Sequence, residues 1–169
     1  SLPLIQDTSS IGNNLDIITF HEINDDMVGK IKYHAKSIHG IDDNVRLTNR
    51  LYIPRNKLRG FVKGRVGPKD GADWVCGNYV SGVSAETMLP NLLPEAYKTD
   101  FNLFIDAANI WGVDYSNNIN DSSKIRSTVG IGAVVFTPVG PLSWTASQNL
   151  TKASTDETES FSFRLGTSF

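Results

Sequence analysis

The chain has 169 residues, a net charge of −2 at pH 7 and 40% hydrophobic residues, with a mass of 18.6 kDa and a pI near 5.9. That length supports one domain with a sizeable core, and the charge balance provides no global basic field for nucleic acid. The single cysteine, Cys76, excludes an internal disulfide and has no Cys or His neighbour at zinc-ligand spacing, so it reads as a small packed residue; no metal or cofactor site is predicted.

No run of about 18 apolar residues is present, so no transmembrane helix is predicted. The chain opens Ser1-Leu2-Pro3-Leu4, without an initiator Met or a basic-then-apolar leader, and reads as a piece of something longer. Sustained i, i+3, i+4 apolar spacing is absent, whereas several segments alternate apolar and polar residues with period 2. The fold class this predicts is all-β.

In chain order, 1–14 is turn-rich and 15–23 is a strand, followed by the turn Asn24-Asp25-Asp26. The next strand, 27–38, sets Gly29, Ile31, Tyr33 and Ala35 against Lys30, Lys32, His34 and Lys36, a basic stripe. Such a stripe is either the solvated face of an antiparallel sheet or a wall facing a polar lumen. The segment 39–75 is rich in Asn, Asp, Arg, Gly and Pro, with only short strand-like pieces such as 45–53. A loop of that length is uncommon without a function, and its Leu58-Arg59-Gly60-Phe61 reads as a tip built to dock.

A strand over 76–88 puts Gly82, Ser84 and Glu86 opposite Tyr79, Val83, Ala85 and Thr87; the Pro-bounded 89–100 is a turn region. The strand 101–111 places Asn102, Phe104 and Asp106 opposite Phe101, Leu103 and Ile105. After a polar loop at 112–124, the strand 125–137 sets Thr128, Gly130 and Gly132 against Val129, Ile131, Ala133 and Val135. Pro138-Val139-Gly140-Pro141 is a tight turn, 142–150 a strand and 151–159 a charged loop. The closing strand has Phe161, Phe163, Leu165, Thr167 and Phe169 on one face and Ser160, Ser162, Arg164, Gly166 and Ser168 on the other.

That makes about seven strands of about 9 to 13 residues, longer than the usual 5 or 6, joined alternately by longer and shorter connections. Trp111, Trp144 and Phe169 lie near strand ends, where interfacial aromatics belong. An outer-membrane barrel has these features; a lipocalin-like soluble barrel or a β-sandwich shares the alternation.

Several separated motifs carry a more specific signal. Leu58-Arg59-Gly60-Phe61, Val66-Gly67-Pro68-Lys69-Asp70, Gly77-Asn78 with Glu86, Phe104-Ile105-Asp106 with Trp111, Arg126-Ser127-Thr128-Val129-Gly130-Ile131-Gly132, Thr137-Pro138-Val139-Gly140-Pro141-Leu142 and Phe161 to Phe169 follow one another in order. In this order and spacing the chain resembles the C-terminal barrel of the BamA-type outer-membrane assembly factors, the bacterial surface antigen family. It departs from the family pattern in having Leu58 where Val is usual and Cys76 where a second Gly is common, which leaves open how freely the backbone bends at Cys76.

The resemblance implies the C-terminal part, over 1–169, of an antiparallel up-and-down transmembrane β-barrel: about seven strands of a roughly sixteen-stranded whole. The loop at about 40–75 would insert into the lumen. There Arg59 would pair with Glu86 and Asp106, with Gly60 beside it and Phe61 against the wall. A planar guanidinium bonds two carboxylates at once, and such a partner would keep both ionised rather than set up acid–base hydrolysis. The closing strand, with Phe161, Phe163, Leu165, Gly166 and Phe169, would carry a C-terminal recognition signal and one side of a weak seam. The implied function is non-enzymatic: folding and inserting β-barrel proteins into the bacterial outer membrane, with unfolded barrel substrates, the lipid bilayer and, through missing POTRA domains, assembly lipoproteins as partners, and the C-terminus periplasmic. A polypeptide secretion pore of the same family and a soluble ligand-binding barrel are the alternatives.

Overall fold

The computed structural model describes residues 10–41, 43–89, 94, 97–119, 124–138 and 140–166. Seven long strands form one antiparallel sheet in the order β1-β2-β5-β6-β7-β8-β9: β1 (Ser10–Asn24), β2 (Met27–Gly40), β5 (Tyr79–Leu89), β6 (Thr99–Trp111), β7 (Arg126–Thr137), β8 (Gly140–Thr151) and β9 (Phe161–Leu165). Between β2 and β5, the two-residue strands β3 (Lys69–Asp70) and β4 (Asp73–Trp74) make a small ribbon. The sheet is an open up-and-down wall, with β1 and β9 at its two edges.

Each long strand pairs with the next long strand along the chain, and β2 passes to β5 through the long loop that carries β3 and β4. The first turn is held by the Asn24 side chain, which accepts a hydrogen bond from the Asp26 N–H at 3.1 Å. Strict alternation then gives the wall two faces. One carries Tyr33, Val83, Leu103, Ile105, Val129 and Ile131 in the open, with Leu103 44% and Ile105 48% exposed. The other holds His34, Ser84, Asp106, Arg126 and Thr128, none more than 2% exposed. Apolar residues out and polar residues in is the pattern of a membrane barrel wall and the reverse of a soluble barrel or sandwich.

Two aromatic groups border the outward face. Tyr79 stacks on Trp111 at 5.7 Å toward the loop end, and Trp144 meets Phe163 at 6.5 Å toward the turn end.

Several expectations need correction. Residues 10–14, read as turn-rich, belong to β1, because Asn13 and Asn14 pair with Ser37 and Lys36 on a β2 that runs on to Gly40. Residues 45–53 are not a strand: Leu47–Asn49 is a single 3-10 turn, and only Leu51 bridges, to Gly77. The strand expected from Cys76 starts at Tyr79, since Cys76 has a φ of 60° that breaks the extended run. This is the left-handed region, where glycine is favoured, so the backbone here bends as a glycine would. The closing strand ends at Leu165; Gly166, with a φ of 99°, lies just past it, and Phe169 lies outside the described residues. The lysine stripe is not a plain solvated face, as the long loop lies across it.

Candidate functional site: a loop seated across the wall

The polar side chains under the loop fall into cross-strand rows fixed by register. Lys32, Ser84, Asp106, Thr128 and Asn149 are successive partners across β2, β5, β6, β7 and β8, and Lys30, Glu86, Phe104, Gly130 and Ser147 form the adjacent row. Two rows thus place Glu86 and Asp106 on neighbouring strands, one step apart, facing the same way. The loop tip settles on them.

Arg59 anchors the tip. Its Nε donates to Asp106 Oδ2 at 2.8 Å and its Nη2 to Asp106 Oδ1 at 2.7 Å, a two-point fork, while the Arg59 backbone N–H also reaches Oδ2 at 3.0 Å. The same guanidinium donates to Glu86 Oε2 at 3.2 Å and to Ser84 Oγ at 3.0 Å. Ser84 donates onward to Asp106 Oδ1 at 2.6 Å, so the fully buried carboxylate is saturated with donors. Beneath the cluster lies the Phe104 ring, 3.6 Å from the guanidinium carbon. A Cβ on Gly130 would stand 2.5 Å from Phe104 Cζ, so only glycine lets that ring lie flat beneath Arg59. Glu86 is shared with the stripe: Lys32 Nζ sits 2.7 Å and Lys30 Nζ 3.5 Å from Oε1.

Gly60 follows with a φ of 82°, and a Cβ there would lie 2.7 Å from Ser147 Oγ and 2.9 Å from Thr128 Oγ1. Both the left-handed backbone and the close approach to the wall require glycine. Phe61, 2% exposed, turns into an apolar cluster with Leu58, Val66, Val80, Ala108 and Ile110. All five residues expected at the loop seat therefore lie together. The C-terminal set, Phe161, Phe163 and Leu165, lies apart on the exposed face of the edge strand.

Two further pairs with a buried arginine hold the loop, besides the more exposed Arg55–Glu159 and Arg65–Glu157, and their pairing was not read from the sequence. Arg126, at the start of β7, donates through Nε to Asp156 Oδ2 at 2.9 Å and through Nη2 to Asp156 Oδ1 at 3.2 Å. Asp156, in the β8–β9 loop, also accepts from the backbone N–H of Gly67 at 3.1 Å and of Ala153 at 2.6 Å. Nearer the loop end, Arg50 pairs with Asp114, which accepts from Val45 N–H at 2.8 Å and Asn78 Nδ2 at 2.9 Å. Partial burial works against the charged form of Asp114, but these donors and the Arg50 charge outweigh it and hold the carboxyl below its ordinary value. Burial pushes the Cys76 thiol up, with Arg50 opposing. The motif residues Arg126 and Asn78 were visible in sequence; Asp156 sat in a charged loop and Asp114 in a polar one, and only folding selects their partners.

The loop also pairs by backbone with the β8–β9 loop. Val62 N–H donates to Glu157 O, Glu157 N–H to Arg65 O and Glu159 N–H to Gly60 O, each at 3.0 Å. At the other side of the sheet Lys57 reaches Asp16 of β1 at 2.7 Å. His34 lies sealed on the covered face, 1% exposed, with neither ring nitrogen hydrogen-bonded.

An antiparallel wall with an apolar outer face, aromatic borders and a loop pinned to its polar face defines a membrane β-barrel segment. The chain belongs to the Omp85 superfamily, whose domain matches residues 6–169. It is 29% identical to the outer membrane protein assembly factor BamA of Neorickettsia risticii (strain Illinois), with 74% of this chain aligned, and 27% identical to BamA of Neisseria meningitidis serogroup B (strain ATCC BAA-335 / MC58), with 66% aligned. The chain spans 17% of the length of each of these relatives. Its fold is similar to the crystal structure of BamA from Haemophilus ducreyi lacking POTRA domains 1-3, with a TM-score of 0.76 and 24% identity over 91% of this chain and 34% of that one.

Proposed function

We propose that this chain is the C-terminal wall of an outer-membrane barrel that folds and inserts other β-barrel proteins, and that Arg59 is the latch holding the long loop inside the lumen. The carrying observation is the Arg59 fork, which ties one loop residue to acceptors on two strands of the wall. Its chemistry is non-covalent. Ion-paired carboxylates and a stacked ring hold a conformation, and unfolded barrel segments would be the substrates. The exposed apolar face would lie against lipid, the turn end and the C-terminus toward the periplasm, and assembly lipoproteins would act through POTRA domains elsewhere in the parent chain.

The test is depletion of the parent protein and complementation with wild type or Arg59→Ala. Wild type restores outer-membrane barrels in general, and Arg59→Ala restores them poorly although it reaches the membrane. Loss of one secreted protein alone, with other barrels intact, would instead assign the parent to polypeptide secretion.

A further inference from the structure

The β8–β9 pairing stops short. Its register runs Leu142 opposite Leu165 to Ala146 opposite Phe161, and one more backbone bond, Ser147 N–H to Ser160 O at 2.8 Å, extends it by one step. β8 itself continues to Thr151, and on its other side β7 pairs with that upper half through a register shift that leaves Leu150 as an extra residue between Asn149 and Thr151. The β8–β9 register, carried on as far as this bulge, would set Gln148 against Glu159, Asn149 against Thr158 and Leu150 against Glu157. The hairpin would then close through 151–156. Instead, residues 157–159 leave the sheet and pair with 60–65 of the long loop. One segment therefore has two possible strand partners: the upper half of β8 and the seated loop.

Asp156 stands where that choice is made. Its carboxylate is held by Arg126 on β7 and by the Gly67 N–H of the long loop, so it draws 157–159 over the loop and off β8. With the loop in place, Asn149 Nδ2 is occupied by Gly60 O at 3.0 Å. We infer that Asp156 is a positioning residue that commits 157–159 to the loop, and that unseating the loop lets this segment zip onto β8 and lengthen the edge strand β9 toward the loop end. Freed backbone groups on both sides would drive the zipping, since neither partner can leave its donors and acceptors unpaired at low cost. The state of the latch would thereby set the length of the edge strand. Its use in inserting barrels rests on the function proposed above, whereas the exchange itself does not.

The test uses the full parent protein in liposomes with Cys76→Gly, which suits the positive φ there, and the cysteine pair L150C/E157C. In the zipped register this would be a pair without mutual backbone bonds, whose Cα atoms approach to about 4.5 Å, within disulfide reach. Little cross-link is expected with Asp156 in place and at least a fivefold increase with Asp156→Ala or Arg59→Ala, while Asp156→Glu restores low yield. Hydrogen exchange without the cysteines is the second measurement: Asp156→Ala should expose the Val62 amide while strands β5 and β6 stay protected. Equal cross-linking in all variants, or exchange rising through β5 and β6 as well, would overturn the inference. A shift in cross-linking that leaves barrel assembly unaffected would keep the exchange and reject its link to assembly, whereas depletion that leaves barrels in general intact would overturn the proposed function alone.

Discussion

The Arg59 and Arg126 anchors solve one problem with opposite arrangements. At the first the cation rides on the loop and both carboxylates belong to the wall; at the second the cation belongs to the wall and the carboxylate rides on a loop. Arg59 meets acids already placed by strand register, so its seat exists before the loop arrives. Asp156 instead gathers backbone donors from two loop segments, Gly67 and Ala153, around one guanidinium. The first anchor positions a tip on a rigid surface, and the second joins two loops to each other and then to that surface.

Four perturbations probe this contrast, beginning with the largest. Asp106→Ala leaves the Arg59 guanidinium covered without its main partner and is expected to cost roughly 3–5 kcal/mol. Denaturant unfolding of the parent barrel in detergent would read this as a lowered midpoint, with the 58–61 region losing exchange protection; an unchanged midpoint would mean that the pre-placed acid is not what holds the tip. Gly60→Ala should cost about 1–3 kcal/mol for a non-glycine residue in the left-handed region, plus the clash with Ser147 and Thr128. The same titration checks it, and Ser147→Ala combined with Gly60→Ala should recover only the part of the cost that the Ser147 hydroxyl imposes, leaving the Thr128 contact and the backbone strain.

Acid probes the loop-end anchor. The Asp114 carboxyl is held below its ordinary value of 3.8, so its contribution is complete above that value and is lost as pH falls through the lower folded-state value. Stability followed below pH 4 should therefore decline less for Asp114→Asn than for wild type, and parallel curves would remove Asp114 from the acid response. The smallest effect belongs to Arg65→Ala. Its pair with Glu157 is exposed on both sides and should be worth about 0.2–1 kcal/mol, leaving the unfolding midpoint nearly unchanged. A loss as large as that of Asp106→Ala would show that the surface pair, not Asp156, joins the two loops.

Much of the site was legible because strand alternation is local. Once Glu86 and Asp106 were on the polar sides of adjacent strands, an Arg-bearing loop had an address. Ser84 and Phe104 could have been found by the same parity, since they share the rows of Asp106 and Glu86. The Asp156 partnership could not, because 151–159 reads as a solvated charged loop and its role depends on a contact some 90 residues away in the chain. The closing strand was read past its end for a local reason: the alternation continues beyond Leu165, but Gly166 takes a positive φ that ends the extended run.

What the amino-acid order determined alone was the set of strands, their two faces and the chemistry gathered on each, because period-2 patterning and turn residues act within a few positions. Tertiary structure decided which acid each arginine takes and which partner 157–159 takes, because these are competitions between distant groups of the same kind. Local propensity does not rank such rivals; seating the loop across the wall brings one of each within hydrogen-bond distance and excludes the others.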